Sequence, residues 1–168
     1  ILDQQNAANT FDADAQRLLE DSLYIYSYDL NGNLISKISK ISGNQSFYFS
    51  YNSKNQLEAV TVKDDLSATA TKEVFFKYDV FGRRMYKNVK DYVDTTSVEK
   101  NYARYFVYDK NNLLAEYNAS SGQLLAKYTS HPQKIDDVLA VSITAAWVTA
   151  KISKTADIFY LLKDHQNS

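Results

Sequence analysis

The sequence predicts an all-β fold of consecutive antiparallel hairpins, and three observations carry that expectation. One short pattern recurs: an aromatic, Asp or Asn, two or three variable residues, Gly or Asn, then a basic or apolar residue. Of the 4 glycines, Gly32, Gly82 and Gly122 occupy the turn position of that pattern. The chain also holds 14 Tyr and 8 Phe beside a single Trp, residues that favour pleated, half-buried surfaces. Physically the pattern is a hairpin. The aromatic ends one strand, Asp or Asn bonds to its own backbone two residues on, and Gly or Asn tolerates the positive φ of a tight turn.

Taken in order, the first copy is Phe11-Asp12-Ala13-Asp14-Ala15-Gln16-Arg17-Leu18. A helix over Phe11–Glu20, with Thr10 as its N-cap, competes with it. The repeat register selects the hairpin, because Phe11-Asp12 and Leu18-Leu19 fall where other copies carry their aromatic and apolar positions. Next, Tyr28-Asp29-Leu30-Asn31-Gly32-Asn33-Leu34 joins expected strands 22–29 and 33–41. Leu23, Ile25, Ser27 and Asp29 alternate with Tyr24, Tyr26 and Tyr28, so both faces carry bulk, as in a strand covered twice or in the wall of something hollow. Ser42-Gly43-Asn44 turns into strand 46–52, and Tyr51-Asn52-Ser53-Lys54-Asn55-Gln56-Leu57 leads to strand 56–63. Polar Lys63–Lys72 reads as a long loop before strand 73–79. The clearest copy, Tyr78-Asp79-Val80-Phe81-Gly82-Arg83-Arg84, opens strand 83–89, and polar Lys90–Lys100 is a second long loop. Strands 102–109 and 112–118 flank Tyr108-Asp109-Lys110-Asn111-Asn112-Leu113-Leu114. Tyr117-Asn118-Ala119-Ser120-Ser121-Gly122-Gln123-Leu124, with one residue inserted, leads to strand 123–129. Pro132 after His131 marks a break that a strand interior would not accept. Strands 138–143, 146–152 and 157–163 complete the reading.

With 168 residues, 45% hydrophobic and 23% charged, the chain can bury a core as about one domain. Lys plus Arg number 19 and Asp plus Glu 20, a net charge of −1, which argues against nucleic-acid or membrane-surface binding driven by bulk charge. Zero Cys excludes a disulfide framework, a thiolate nucleophile and a zinc site built on sulfur. The chain opens on Ile1, without a basic segment followed by an apolar one, and so reads as a fragment or processed piece lacking a signal peptide. Apolar runs such as Ala145–Val148 fall far short of the ~20 residues of a spanning helix.

Candidate chemistry is sparse. Asp29-Leu30-Asn31-Gly32-Asn33 imitates the start of a calcium loop, but Lys40 stands where the twelfth-position Glu would be, and a hairpin turn is the simpler reading. Asp12-Ala13-Asp14 and Asp136-Asp137 are carboxylate pairs, yet adjacent residues of a strand point to opposite faces. His131 and His165 have no further ligands nominated by the sequence. No Gly-x-Ser-x-Gly elbow, phosphate-binding Gly loop or His-Glu-x-x-His helix occurs. Arg83, Arg84, Lys77 and Lys87 beside Phe75, Phe76, Tyr78 and Tyr86 could serve single-stranded nucleic acid, but cation–π packing within a sheet explains the same residues. Asn44-Gln45-Ser46 and Asn118-Ala119-Ser120 fit the glycosylation pattern and are read as unused.

These residues resemble the YD repeats of the Rhs family, which includes the C component of Tc insecticidal toxins and the YD shell of teneurins. The most specific part is C-terminal: Arg104-Tyr105-Phe106-Val107-Tyr108-Asp109, Leu113-Leu114-Ala115-Glu116-Tyr117 and Gly122-Gln123-Leu124-Leu125-Ala126-Lys127-Tyr128 resemble the start of the Rhs-repeat-associated core. Ile135-Asp136-Asp137-Val138-Leu139-Ala140 and Phe159-Tyr160-Leu161-Leu162-Lys163-Asp164-His165 continue it in the family's order. After Asp-His the family usually reads Leu-Gly-Ser, and here Gln166-Asn167-Ser168 stands instead. The likeness spans almost the whole chain, weakly before residue 70 and strongly from about 75, so that 1–100 are degenerate repeats and 101–168 the start of the core, within one repeat segment.

The resemblance implies a continuous sheet that spirals into a hollow shell around a C-terminal toxin or effector. The chain stops before the family's aspartyl self-cleavage site, so no protease residue is carried over. The expectation is a structural wall segment without catalysis, metal or cofactor. Its partners would be the rest of the shell, its toxin cargo and a secretion or delivery complex, with no nucleic acid and no membrane span, and its location secreted or at a bacterial cell surface. Its repeat residues would be Phe11, Asp12, Tyr28, Asp29, Gly32, Tyr51, Asn52, Tyr78, Asp79, Gly82, Arg83, Tyr108, Asp109, Tyr117, Gly122, Asp164 and His165, and its packing ladder Tyr24, Tyr26, Tyr28, Tyr51, Tyr78, Tyr105, Tyr108 and Tyr128. The alternative is a surface adhesion or carbohydrate-binding module, against which the single Trp counts.

Overall fold

A computed structural model describes residues 9–13, 16–64, 69–97, 100–131, 138–144 and 158–160. Expected strand 146–152 lies outside them, as do Asp14, Pro132, Asp136, Asp137, Asp164 and His165. Among the described residues the fold is all-β, with antiparallel strands following one another in sequence order and no helix. The strands are β1 (Thr10–Phe11), β2 (Leu18–Glu20), β3 (Tyr24–Tyr28), β4 (Leu34–Ser39), β5 (Gln45–Tyr51), β6 (Leu57–Asp64), β7 (Lys72–Tyr78), β8 (Arg84–Asp91), β9 (Tyr102–Asp109), β10 (Asn112–Asn118), β11 (Leu124–Ser130), β12 (Val138–Ile143) and β13 (Ile158–Tyr160). The competing helix over residues 11–20 gives way to hairpin β1/β2, in which Phe11 faces Leu18. The two polar loops are shorter than expected, because β6 runs on to Asp64 and β8 to Asp91.

The chain divides into two compact units, the first running to Phe75 with Lys90–Val93 added, the second made of Phe76–Val89 and the chain from Asp94 on. In the first unit, one cross-strand row reads Tyr26, Lys37, Phe47, Val62 and Lys72 from β3 to β7. Within it the Lys37 ammonium lies 6.0 Å from the ring centroids of Tyr26 and Phe47, and 4.0 Å from that of Tyr24. A second row, Ser27, Ser36, Tyr48, Thr61 and Glu73, is polar. Ser36 and Ser46 are buried, and Ser46 Oγ accepts from the Ser39 amide at 3.0 Å, which answers the cost of burying a hydroxyl.

In the second unit β9 shows a clean period of two: Arg104 and Phe106 are buried while Tyr105 and Val107 are exposed. At β3, where bulk on both faces is expected, Tyr24, Tyr26 and Tyr28 are half-buried while Leu23 and Ile25 on the other face are exposed, so only one face is covered. In the second unit the covered face gathers Val89, Phe106, Ala126 and Ile143 with the ion pair Arg104–Glu116.

A regular departure from simple pairing accompanies the repeat. Phe11, Tyr28, Tyr51, Tyr108 and Tyr117 face Leu18, Leu34, Leu57, Leu113 and Leu124, and in each case the next residue is left out of the ladder: Leu19, Ile35, Glu58, Leu114 and Leu125. This extra residue is a β-bulge, which sharpens the local twist and turns the following side chains to the other face.

Candidate functional site

The repeated hairpin loops are the feature with the most defined geometry. In the Asp29 loop the Asp29 amide donates to the Asn33 carbonyl at 2.9 Å, and the Gly32 amide donates to the Asp29 carbonyl at 3.1 Å. The Asp29 carboxylate fills the loop: Oδ1 accepts from the amides of Asn31 (2.9 Å) and Asn33 (2.8 Å), and Oδ2 accepts from Asn33 Nδ2 at 2.8 Å. The Asp79 loop repeats this frame, with Oδ1 accepting from the amides of Phe81 and Arg83 at 2.9 Å and Oδ2 from Arg83 Nε at 2.6 Å. Asn52 does the same without a charge, accepting from the Lys54 and Gln56 amides and donating Nδ2 to Gln56 Oε1 at 2.9 Å. These are three-residue loops whose last member must take the left-handed backbone. Gly32 (φ 83°), Asn55 (φ 58°) and Gly82 (φ 86°) do so.

Two further copies enclose one more residue. Asp12 and Asn118 donate their amides to the carbonyls of Arg17 (2.8 Å) and Gln123 (2.9 Å), with Gln16 (φ 52°) and Gly122 (φ 70°) in the left-handed position. The Asp109 copy departs from the expected loop. Tyr108 already faces Leu113, so Asp109 pairs directly with Asn112, and only Lys110 (φ 53°) and Asn111 remain to turn. Asp109 is therefore a strand residue and not a loop cap.

The loops grip one another within each unit. Asn31 and Asn33 both donate Nδ2 to Asn55 Oδ1, at 3.1 and 3.0 Å, which ties the Asp29 loop to the Asn52 loop. Burial and the nearby Asp29 charge push the Tyr51 hydroxyl above its ordinary pKa. In the second unit Arg83 donates to the Lys110 carbonyl and lies 5.2 Å from the centroid of Tyr108, whose hydroxyl donates to the Arg84 carbonyl at 2.9 Å. The first unit holds the same device at its start, with Arg17 paired to Asp12 (2.6 Å) and 5.3 Å from the centroid of Tyr28, whose hydroxyl donates to the Leu18 carbonyl. Arg17 and Arg83 hold equivalent positions, each closing its own loop and capping the aromatic of the next hairpin.

The Asp29 carboxylate oxygens are engaged by N–H donors, an arrangement that suits a turn and not a cation. Among the described residues no group of three or more His, Asp or Glu could hold a metal ion. Lys77 lies over Tyr86, Arg84 over Phe76 and Phe106, and Lys87 over Tyr102, so these cations already rest on the protein's own rings. The ladder tyrosines pack in more than one way. Tyr24, Tyr26 and Tyr128 meet cations or carboxylates across strands, and the ring pairs among the described tyrosines are Tyr24 with Tyr26 and Tyr86 with Tyr105. Burial, joined by the hydrogen bond to Asp21, pushes Tyr26 up to about 12. Burial also raises Tyr78 and Tyr108.

One cluster escaped the sequence reading. Arg104 Nη1 donates to Glu116 Oε2 at 2.7 Å, Tyr128 donates to Glu116 Oε1 at 2.5 Å, and the Arg104 guanidinium lies 4.7 Å from the centroid of Tyr102. Burial, reinforced by that hydrogen bond, drives the Tyr128 hydroxyl far above its usual pKa. Both charges are fully answered, so the cluster fixes how β9, β10 and β11 meet. No helix of the described residues is long and apolar enough to cross a membrane. In comparisons with known proteins, no family model matches the chain and no curated protein matches it.

Proposed function

We propose that this chain is a wall segment of an Rhs-type shell: a structural, encapsulating element without catalysis of its own, built to surround a toxin or effector segment. The observation that carries the reading is the loop lattice. A free-standing hairpin needs no contact from its loop to the next, whereas here Asn33 reaches Asn55 and Arg83 reaches Lys110, as a continuous wall requires. The bulges that accompany Phe11, Tyr28, Tyr51, Tyr108 and Tyr117 supply repeated local twist, the means by which a sheet is bent round a volume. The family motifs in residues 104–128 and 159–165 support the same reading from the sequence side. Bacterial secretion or surface display, and partnership with the rest of the shell and its cargo, belong to this proposal.

The test is the intact mass of the chain as its native source makes it, combined with protease challenge. A shell predicts a mass many times 19.2 kDa and a cargo segment that resists protease until denaturant opens the wall. A mass near 19.2 kDa, or cargo digested as fast as the wall, overturns it and favours an adhesion module, for which exposed Phe81 at a loop tip would be the contact residue.

A further inference from the structure

We infer that Tyr86 and Tyr105 are an oxidative cross-linking site, placed to join as dityrosine when a haem peroxidase acts with hydrogen peroxide and so to tie β8 covalently to β9. The inference stands on the geometry of the pair and is independent of the shell reading. The two residues are direct cross-strand partners. Side chains so placed have Cβ atoms about 4.5–5.5 Å apart. Their ring centroids lie 5.3 Å apart with the planes tilted by 45°, within the range at which aromatic rings touch.

Access and hydrogen bonding are compatible with the same pair. Tyr105 is 48% exposed. The hydroxyls of Tyr26, Tyr28, Tyr92, Tyr108 and Tyr128 donate to protein acceptors, whereas those of Tyr86 and Tyr105 have no protein hydrogen-bond partner among the described residues. The competing pair, Tyr24 and Tyr26, is worse placed. Its rings are 6.3 Å apart on one strand, Asp21 holds the Tyr26 hydroxyl, and the Lys37 ammonium, 4.0 Å from the Tyr24 centroid, opposes removal of an electron more closely than Lys77 does at 5.6 Å from the Tyr86 centroid. Tyr117 faces Tyr105 from β10, but the ring contact of Tyr105 is with Tyr86. A chain with 0 Cys offers no thiol to intercept the radicals.

The chemistry balances. Each phenol gives up one electron and its hydroxyl proton, and the two radicals join through a new carbon–carbon bond between ortho positions. The hydrogen displaced from each of those carbons returns to its own phenolic oxygen. The pair loses two hydrogen atoms in all, and one hydrogen peroxide takes up two electrons and two protons as its O–O bond breaks to give two waters.

The experiment treats the full chain at low concentration with a haem peroxidase and hydrogen peroxide, then digests it with trypsin. Tyr86 lies in the peptide 85–87 and Tyr105 in 105–110. The expected result is dityrosine fluorescence, a band that stays monomeric under denaturing conditions, and these two peptides joined with the loss of two hydrogens. Tyr86→Phe and Tyr105→Phe each cut the yield about tenfold, since each removes one of two facing partners, while Tyr117→Phe leaves it unchanged. Both critical variants delete a hydroxyl without a protein partner, and circular dichroism checks that each stays folded. Absence of dityrosine overturns the inference. So does a link joining other residues or separate molecules, or one that persists in Tyr86→Phe.

Discussion

The two units share one kind of edge and differ at the strand centres. At the edge, the Asp29 loop of the first unit and the Asp79 loop of the second have the same hydrogen bonds and the same left-handed glycine. At the centre, the first unit lays Lys37 and Lys63 on the rings of Tyr24 and Tyr48, with ammonium groups 4.0 and 5.1 Å from the centroids. The second encloses Arg104 and Glu116, 7% and 8% exposed, and closes the pair with Tyr128. The difference teaches that loop chemistry sets register locally, while cohesion between hairpins is a separate choice that each unit makes with different residues.

The largest expected effect breaks the second centre. Glu116→Gln leaves the Arg104 charge buried without its partner and should destabilise by about 3 kcal/mol or more in urea unfolding. Lys37→Met removes only a cation lying on a ring and should cost under about 1 kcal/mol. Equal losses would erase the contrast between the centres. Next come the loops, where the units should behave alike: Gly32→Val and Gly82→Val should each cost about 1–2 kcal/mol, because an L side chain at positive φ is strained. At Gly32 an added Cβ meets nothing within 4 Å, so the whole loss there is torsional. Unequal values would show that the shared frame is not shared in energy.

The closing residue sharpens the comparison further. Arg83→Ala loses the Asp79 ion pair, the Tyr108 stack and the bond to the Lys110 carbonyl, about 1.5 kcal/mol, whereas Asn33→Ala loses its bonds to the Asp29 carboxylate and to Asn55 but removes no charge, about 1 kcal/mol. High salt should shrink the first loss more than the second, in which no ion pair is broken. Salt-independent behaviour at Arg83 would mean that its aliphatic stem, and not its charge, does the holding.

What was legible in the sequence follows the same division. The loops could be read because everything they need lies within seven residues: an aromatic, a side-chain acceptor and a residue tolerant of positive φ. Asp109 misled because its copy keeps the letters but is one residue shorter between Tyr108 and Leu113, which pairs Asp109 instead of freeing it. The bulges had a signal that the alternation pattern passes over, in the apolar doublets Leu18-Leu19, Leu34-Ile35, Leu113-Leu114 and Leu124-Leu125, each of which interrupts a period of two. The Arg104–Glu116–Tyr128 cluster had none, because its members sit twelve residues apart on three strands and meet only once the register is set. The grip of Asn33 on Asn55 was hidden for the same reason, since the pattern describes one hairpin at a time.

The smallest expected effect lies in acid, where the loops differ by charge. Hydrogen bonding from the Asn33 side chain, outweighing partial burial, holds the Asp29 carboxyl below the ordinary aspartate value. At Asp79 burial pushes upward, but the Arg83 and Phe81 amides and the Arg83 guanidinium together outweigh it, and the net direction is again down. A carboxyl depressed in the folded state stabilises the fold above its unfolded pKa, because the unfolded chain takes up its proton first as the pH falls. That contribution is complete above about pH 4 and fades as the pH drops through the unfolded and then the folded value. Asn52 builds the same frame with no proton to gain. Replacing both Asp29 and Asp79 by Asn should therefore leave stability near neutrality almost unchanged and flatten its acid limb, with Asp21 and Asp94, which are also depressed, accounting for the slope that remains. An acid limb as steep in the double variant as in the parent would assign acid sensitivity to those two carboxylates and leave the loops indifferent to charge, with the amide frame of Asn52 as the sufficient form of the turn.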